Sequence, residues 1–385
     1  MKRKRVALLV ETSLASGREI LLGIAKYARE MDGWQLFHVP SGLGDPVPGW
    51  LENWEGDGVI ARVQNVGIGG RLQALGVPVM DVLGVVGDAG FPLVHVDNLQ
   101  VAKLVARHFK ERDFRRFAFY GIQGENWSMS RLEGFKEACG QDIAHLDSLP
   151  GQGDGAGEGF ERLCKWLRGL PKPVGIFVAS DQRGLVLLEA CRAEGIAVPE
   201  QVAVVGVDND VPLCEISSPQ LTSVDAGHFQ VGYEAARRLD KLMTGKPLSR
   251  HAFLVPPTEL VVRGSSDTQA IEDPVVATGL HFLRYNLAAP LDNASIAKAA
   301  GVSRTLFQKR FRQEIGCTVH AYLVRCRLER AKMLLTTSNL TLADIALRCG
   351  FNHQEYMGDV FKRHIGMTPG EWRKIGRGAE DVVRG

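Results

Sequence analysis

The sequence predicts two doubly wound α/β lobes followed by an all-α domain, and three observations carry that expectation. Over the first 265 residues, short β-branched runs alternate with amphipathic helical patterns. After Asp273 the strand signals stop, and the periodicity is helical to about Lys374. Within that second segment the chain repeats itself: Ser295–Ser303 (SIAKAAGVS) matches Asp344–Asn352 (DIALRCGFN) at an offset of 49. Phe311–Gly316 (FRQEIG) then matches Phe361–Gly366 (FKRHIG) at an offset of 50.

Taken in order, Arg5–Val10, Trp34–Val39, Asp57–Ile60, Val77–Asp81, Leu93–Val96, Arg116–Tyr120, Val174–Val178 and Val202–Val207 read as strands. Helical patterns lie between them at Gly17–Glu30, Asn98–Glu111, Ser130–Cys139, Asp181–Glu194 and Gly227–Met243. Such alternation implies parallel sheets built from right-handed crossovers, with ligands beyond the carboxyl ends of the strands. The glycine-rich Gly151–Gly159 lacks a phosphate-loop pattern and reads as a surface loop. The polar stretch Arg263–Gln269 ends the α/β pattern. The expected division is a two-lobed region over 1–265, a linker over 266–273 and a helical domain over 274–375.

Charge separates the two parts. Residues 270–385 hold 17 Lys+Arg and 11 Asp+Glu, whereas residues 1–269 hold 29 and 33, so a net charge of +2 divides into +6 and −4. A basic module with a polyanionic partner is implied. Seven scattered cysteines without a C-x-x-C pair argue against a disulfide framework or a zinc site, and fit a reducing cytosol. The apolar run Val6–Val10 behind Lys2–Arg5 is too short for a signal-peptide core, and no run is long enough to span a membrane. The expected location is therefore cytoplasmic.

Each repeat has the layout of a helix-turn-helix. Ala297 and Ala346 let the second helix cross closely, and Gly301 and Gly350 supply a left-handed turn residue. Ser303 and Asn352 stand where an N-cap belongs. Phe307 and Phe311, one turn apart, are expected to face inward. That leaves Arg304, Thr305, Gln308, Lys309 and Arg312 outward, where such side chains read major-groove edges. The second copy offers His353, Gln354 and Glu355, with Asp359 where a positive residue would serve better against phosphate. A helical bundle with a merely solvated charged face is the bland alternative. Two copies in register inside the basic segment favour DNA binding.

These residues resemble the AraC family of bacterial regulators over about the last hundred positions, including Phe361–Arg373 (FKRHIGMTPGEWR). The N-terminal region resembles the periplasmic-binding-protein-like sensor of LacI-type repressors, on Val94–Asn98, Arg116–Gly121, Arg131–Phe135 and Val198–Asn209. A sugar sensor followed by an AraC-type domain is similar to regulators of the xylose operon type, and Asn126–Arg131 fits that group. The resemblance implies sugar ligands at Arg131 and Asp208, with Arg18, Asp97, Trp127 and Asp181 as further candidates. Trp127 offers a face on which a sugar ring can stack. Each charged residue is equally readable as an ordinary ion pair, except that they fall where loops leave strands.

The implied function is a DNA-binding, sugar-responsive transcription regulator, an activator of pentose genes, with D-xylose as effector. A homodimer, promoter DNA and RNA polymerase are its expected partners. No cofactor, metal site or catalytic set is expected, so the chain does not read as an enzyme. A periplasmic sugar carrier would need a signal peptide and no second domain. A nucleotide-dependent enzyme would need a glycine loop where the chain has Glu11–Gly17. A plain LacI-type repressor would carry its DNA-binding unit at the other end. A regulator sensing a different sugar remains the nearest alternative.

Overall fold

The protein was analysed as a computed structural model, which describes residues 3–42, 44–86, 90–140, 142–149 and 157–375. It divides into two compact units between Ala270 and Ile271. The first contains strands β1 (Lys4–Leu9), β2 (Trp34–His38), β3 (Gly58–Ala61), β4 (Val79–Asp81), β5 (Leu93–Val96), β6 (Phe117–Ile122), β7 (Ala144–Ser148), β8 (Val174–Val178), β9 (Val202–Val207), β10 (Thr222–Asp225), β11 (Ala252–Val255) and β12 (Glu259–Val261). Its helices are α1 (Ala15–Met31), α2 (Val66–Ala74), α3 (Asn98–Lys110), α4 (Asn126–Cys139), α5 (Glu158–Gly169), α6 (Asp181–Ala193), α7 (Val211–Ile216) and α8 (His228–Met243).

The strands form two sheets, ordered β11-β5-β4-β3-β1-β2 in the first lobe and β12-β10-β9-β8-β6-β7 in the second. All pairings are parallel except that of β10 with β12. Near-continuous apolar strands, such as β8 and β9 with every residue buried, are what a sheet covered on both faces requires. The eight strands read from sequence are present. The other four, β7, β10, β11 and β12, are short, and all but β10 lie at sheet edges, where the alternation signal is weak.

Because β11 returns to the first sheet and β12 to the second, the chain passes between lobes three times, near Asp97, Ala226 and Pro256. The passes are bonded to one another: Asp97 N donates to Val255 O at 2.7 Å, and Thr258 N to Asp225 O at 2.9 Å. Helices α1 and α8 pack backbone to backbone. A β-carbon at Gly23 would lie 2.0 Å from the Phe229 carbonyl oxygen, and one at Gly232 equally close to that of Ile20.

Two expectations about connections are corrected. Ser265 and Ser266 are fully buried, and Ser265 Oγ donates to Val204 O at 2.6 Å, while Ala270 N donates to Arg112 O at 2.8 Å. The expected 266–273 linker is therefore tied to the sensor at Ser266 and Ala270, because Ser266 is buried against Thr222 and His108 in bonds that a polar composition does not reveal. Of the expected loop Gly151–Gly159, residues 151–156 lie outside the described residues, and Glu158 already begins α5.

The second unit contains α9 (Pro274–Tyr285), α10 (Asn293–Ala299), α11 (Arg304–Ile315), α12 (Val319–Thr337), α13 (Leu342–Arg348) and α14 (Gln354–Ile365). Asp273, Asp292, Ser303, Thr318 and Thr341 cap five of them through side-chain oxygens. Two cores form. One gathers α9–α11 around Phe307 and Phe311, the other α13 and α14 around Met357 and Phe361. Helix α12 serves both, with Val319, Tyr322 and Leu323 in the first and Leu328, Ala331 and Leu335 in the second.

Candidate functional site

In the sensor, strand ends and helix starts gather a set of buried charges. Arg131, on α4, is only 3% exposed. Its Nε donates to Asn98 Oδ1 at 2.9 Å, one terminal nitrogen donates to the Ala179 carbonyl, and the other stands 4.0 Å from Asp208 Oδ1. Its guanidinium lies over the Trp127 ring, 4.9 Å from the centroid. Asp208 follows β9 with φ of 104° and accepts from His228 Nε2 at 2.9 Å. Burial opposes ionisation of Asp208, but the His228 bond and the charges of Arg131 and Arg62 outweigh it and hold the carboxyl below its usual range.

Asp181, at the first turn of α6, is fully buried and accepts from Ser223 Oγ at 2.6 Å and Asp210 N at 2.8 Å. Burial, reinforced by the Asp208 charge, pushes its pKa up to about 8. Two carboxyls in one site are thus driven apart, one charged and one protonated at neutral pH. Beside them opens a cavity of about 520 Å³, lined by Arg18, Asp208, Asp210, Asp225 and His228 among others, within the size range of small-molecule sites. Arg18 sits on its rim, held by the carbonyls of Thr12 and Ser13 at 2.8 and 3.1 Å.

The structure therefore brings Arg131, Asp208, Asp181 and Trp127 together and places Arg18 at the adjoining cavity. Trp127 is engaged with Arg131 and with Glu125, whose carboxylate accepts from its indole at 2.7 Å. Asp97 departs from expectation. It caps α3, with both oxygens taken by the backbone and side chain of Gln100, at 3.0 and 2.7 Å. Its neighbour Asn98 is the residue that reaches Arg131.

In the helical unit, Phe307 and Phe311 are fully buried, and Arg304, Thr305, Lys309 and Arg312 are exposed, with Gln308 half-buried between them. Gly301 and Gly350 adopt φ of 71° and 82°, the left-handed turn the repeat requires. In the second copy His353, Gln354, Glu355 and Asp359 are exposed. The N-cap of α14 is His353 rather than Asn352, and no side-chain bond closes it. The repeat's one-residue insertion falls in the turn, so the cap position moves on by one.

Comparison with known proteins bears on this arrangement. Residues 106–266 match a periplasmic binding protein-like domain, and residues 296–375 match a helix-turn-helix domain. The xylose operon regulatory protein of Escherichia coli (strain K12) is 31% identical over 388 residues, covering 97% of this chain and 98% of that protein. The chain belongs to the xylose operon regulatory protein family. The Haemophilus influenzae member is 29% identical to this regulator, with 96% and 98% covered. A solved structure of a xylose-binding transcription activator superposes on the regulator with a TM-score of 0.83 at 29% identity, covering 97% of this chain and 99% of that one. A cellobiose complex of another transcriptional regulator also matches, with a TM-score of 0.56 at 27% identity over 69% of this chain and 86% of that one.

Several polar residues of the regulator's cleft escaped the sequence reading. His228, Asn98 and Asp210 each bond one of the expected residues from a distant part of the chain. Glu11, after β1, pairs with Arg62, after β3. His95 projects from β5 within the influence of His228, Arg131 and Arg62. Only position at a strand exit could have signalled Glu11 and Arg62, and nothing in the pattern distinguishes His95 from a core histidine.

Proposed function

We propose that this regulator senses a pentose, D-xylose first, in the cleft between its sensor lobes, and acts in the cytoplasm as a homodimer on promoter DNA. Arg131 and Asp208 grip ring hydroxyls, assisted by Asp181 and Arg18, with Trp127 stiffening Arg131 by lying beneath its guanidinium. Arg304, Thr305, Gln308, Lys309 and Arg312 enter one major groove, and His353, Gln354 and Glu355 meet a neighbouring one. Transcription rises through contact with RNA polymerase. One observation carries the reading: the buried charges of Arg131 and Asp208, 4.0 Å apart and each hydrogen-bonded to other protein groups, stand beside a 520 Å³ cavity in the same chain as two helix-turn-helix units. The full-length likeness to xylose operon regulators supports the choice of sugar.

Sugar must bind the closed state better than the open one for any switching to follow. Titration calorimetry against pentoses and hexoses, paired with operator binding with and without each sugar, tests both halves. One pentose bound at micromolar affinity with altered operator binding is expected. Binding of a hexose alone would move the regulator to another sugar, and no sugar binding would remove the sensing role.

A further inference from the structure

The cleft is built unevenly. On the second-lobe side Arg131, Asp181 and Asp208 are each held by protein partners. On the first-lobe side, Glu11 Oε2, Arg62 Nε and the ring nitrogens of His95 are buried without a hydrogen bond of normal geometry, the Val82 backbone being the one main-chain group that acts on the imidazole. A buried polar atom left unpaired is costly, so a cluster of them calls for an explanation. Glu11 follows β1, Arg62 follows β3 and His95 lies in β5, so all three stand at the carboxyl ends of strands of one sheet, the ends that face the cleft. The intervening strand β4 ends in Asp81, whose carboxylate is fully used by the backbone amides of Val63, Leu83 and Gly84 at 3.2, 2.8 and 3.1 Å. Glu11, Arg62 and His95 therefore share one end of the first sheet, a patch where Arg62 acts on Asp208 and His95 is coupled to His228, both of which line the cavity.

The donor and acceptor inventory indicates what would complete them. Glu11 offers an acceptor and Arg62 a donor, each having spent another atom on their mutual ion pair. Burial pushes the His95 pKa down to about 3, so its ring is neutral and offers one donor and one acceptor. Charge in the patch is balanced, since Glu11 and Arg62 cancel. A phosphorylated or carboxylated ligand would demand an unmatched cation, which the patch lacks. Adjacent hydroxyls, each able to donate once and accept twice, match such an alternating set.

Resting on the sugar-sensing reading, we infer that Glu11, Arg62 and His95 are specificity-determining residues that bind neighbouring hydroxyls of an uncharged sugar ring.

Calorimetry of the full-length protein with D-xylose, its monodeoxy analogues and D-ribose 5-phosphate tests this, using wild type, His95→Ala and the milder Glu11→Gln. Each variant is also followed by thermal unfolding without sugar and by operator affinity. If His95 serves the ligand, His95→Ala weakens D-xylose binding about tenfold or more, while sugar-free Tm and operator affinity hold. One deoxy analogue then binds wild type and variant alike, and the phosphate ester binds neither well. A structural histidine would instead lower Tm and leave sugar affinity per folded molecule unchanged, which overturns the inference. Wild-type sugar affinity in both variants does the same while leaving the sensing role intact. Absence of sugar binding by wild type removes the sensing role and this inference with it.

Discussion

In the first helix-turn-helix copy, Ser303 accepts from Leu306 N to cap α11, and the outer face is cationic through Arg304, Lys309 and Arg312. In the second copy, His353 occupies the cap without a side-chain bond, and the outer face mixes Gln354 with Glu355 and Asp359. Inside, the copies agree: Ala297 and Ala346, Phe307 and Met357, and Phe311 and Phe361 are all buried. Packing fixes the inner positions of a duplicated motif, while its outer face is free to take up a different task. The turns differ as well. A β-carbon at Gly301 would meet open space, but one at Gly350 would lie 2.1 Å from the Leu287 carbonyl oxygen, which also accepts from Arg327 Nε at 3.2 Å.

That contrast can be broken most sharply at the turns. Gly350→Ala adds a steric collision to a left-handed strain and should cost roughly 2–5 kcal/mol, measured by denaturant unfolding. Gly301→Ala carries the strain alone and should cost about 1–2 kcal/mol. Equal losses would mean the two turns are not packed differently. On the outer faces, Lys309→Ala should weaken operator binding by roughly 1–3 kcal/mol. Glu355→Ala, by contrast, should change affinity little or improve it at low salt. A gel-shift series over salt distinguishes them, and a larger loss from Glu355→Ala would reverse the assignment of the stronger binding face. The smallest effects lie at the caps. Ser303→Ala should destabilise by about 1 kcal/mol, whereas His353→Ser should stabilise by roughly 0.5–1 kcal/mol, both visible as shifts in Tm. Failure of His353→Ser to stabilise would show that α14 gains nothing from a side-chain cap.

Much of this architecture was legible because it is local. Strand–helix alternation marked the parallel sheets, and the repeat marked both helix-turn-helix units together with the inward Phe307 and Phe311 of the first. Strand β11 was not legible, since its place in the first sheet beside β5 depends on a chain crossing more than 150 residues later. The cleft divides the same way. Arg131, Asp181 and Asp208 were implied by the family resemblance, with their places near strand exits as support. His228, which bonds Asp208, and Asn98, which bonds Arg131, are coupled only by the folded crossings, as is the Glu11–Arg62 pair. Asp97 stood at a promising exit, yet its carboxylate is absorbed by capping α3.

The serines that close the sensor have a mechanical meaning. Ser265 and Ser266 bind the departing chain to β9, β10 and α3, through Val204, Thr222 and His108. Ala270 is still bonded to Arg112, and the next residue, Ile271, belongs to the helical core. Up to Ala270 the departing chain is rooted in the second lobe. Loosening that lobe would therefore release Ser265 and Ser266 together with β9 and β10, so the chain's exit and the sheet should open as one cooperative unit.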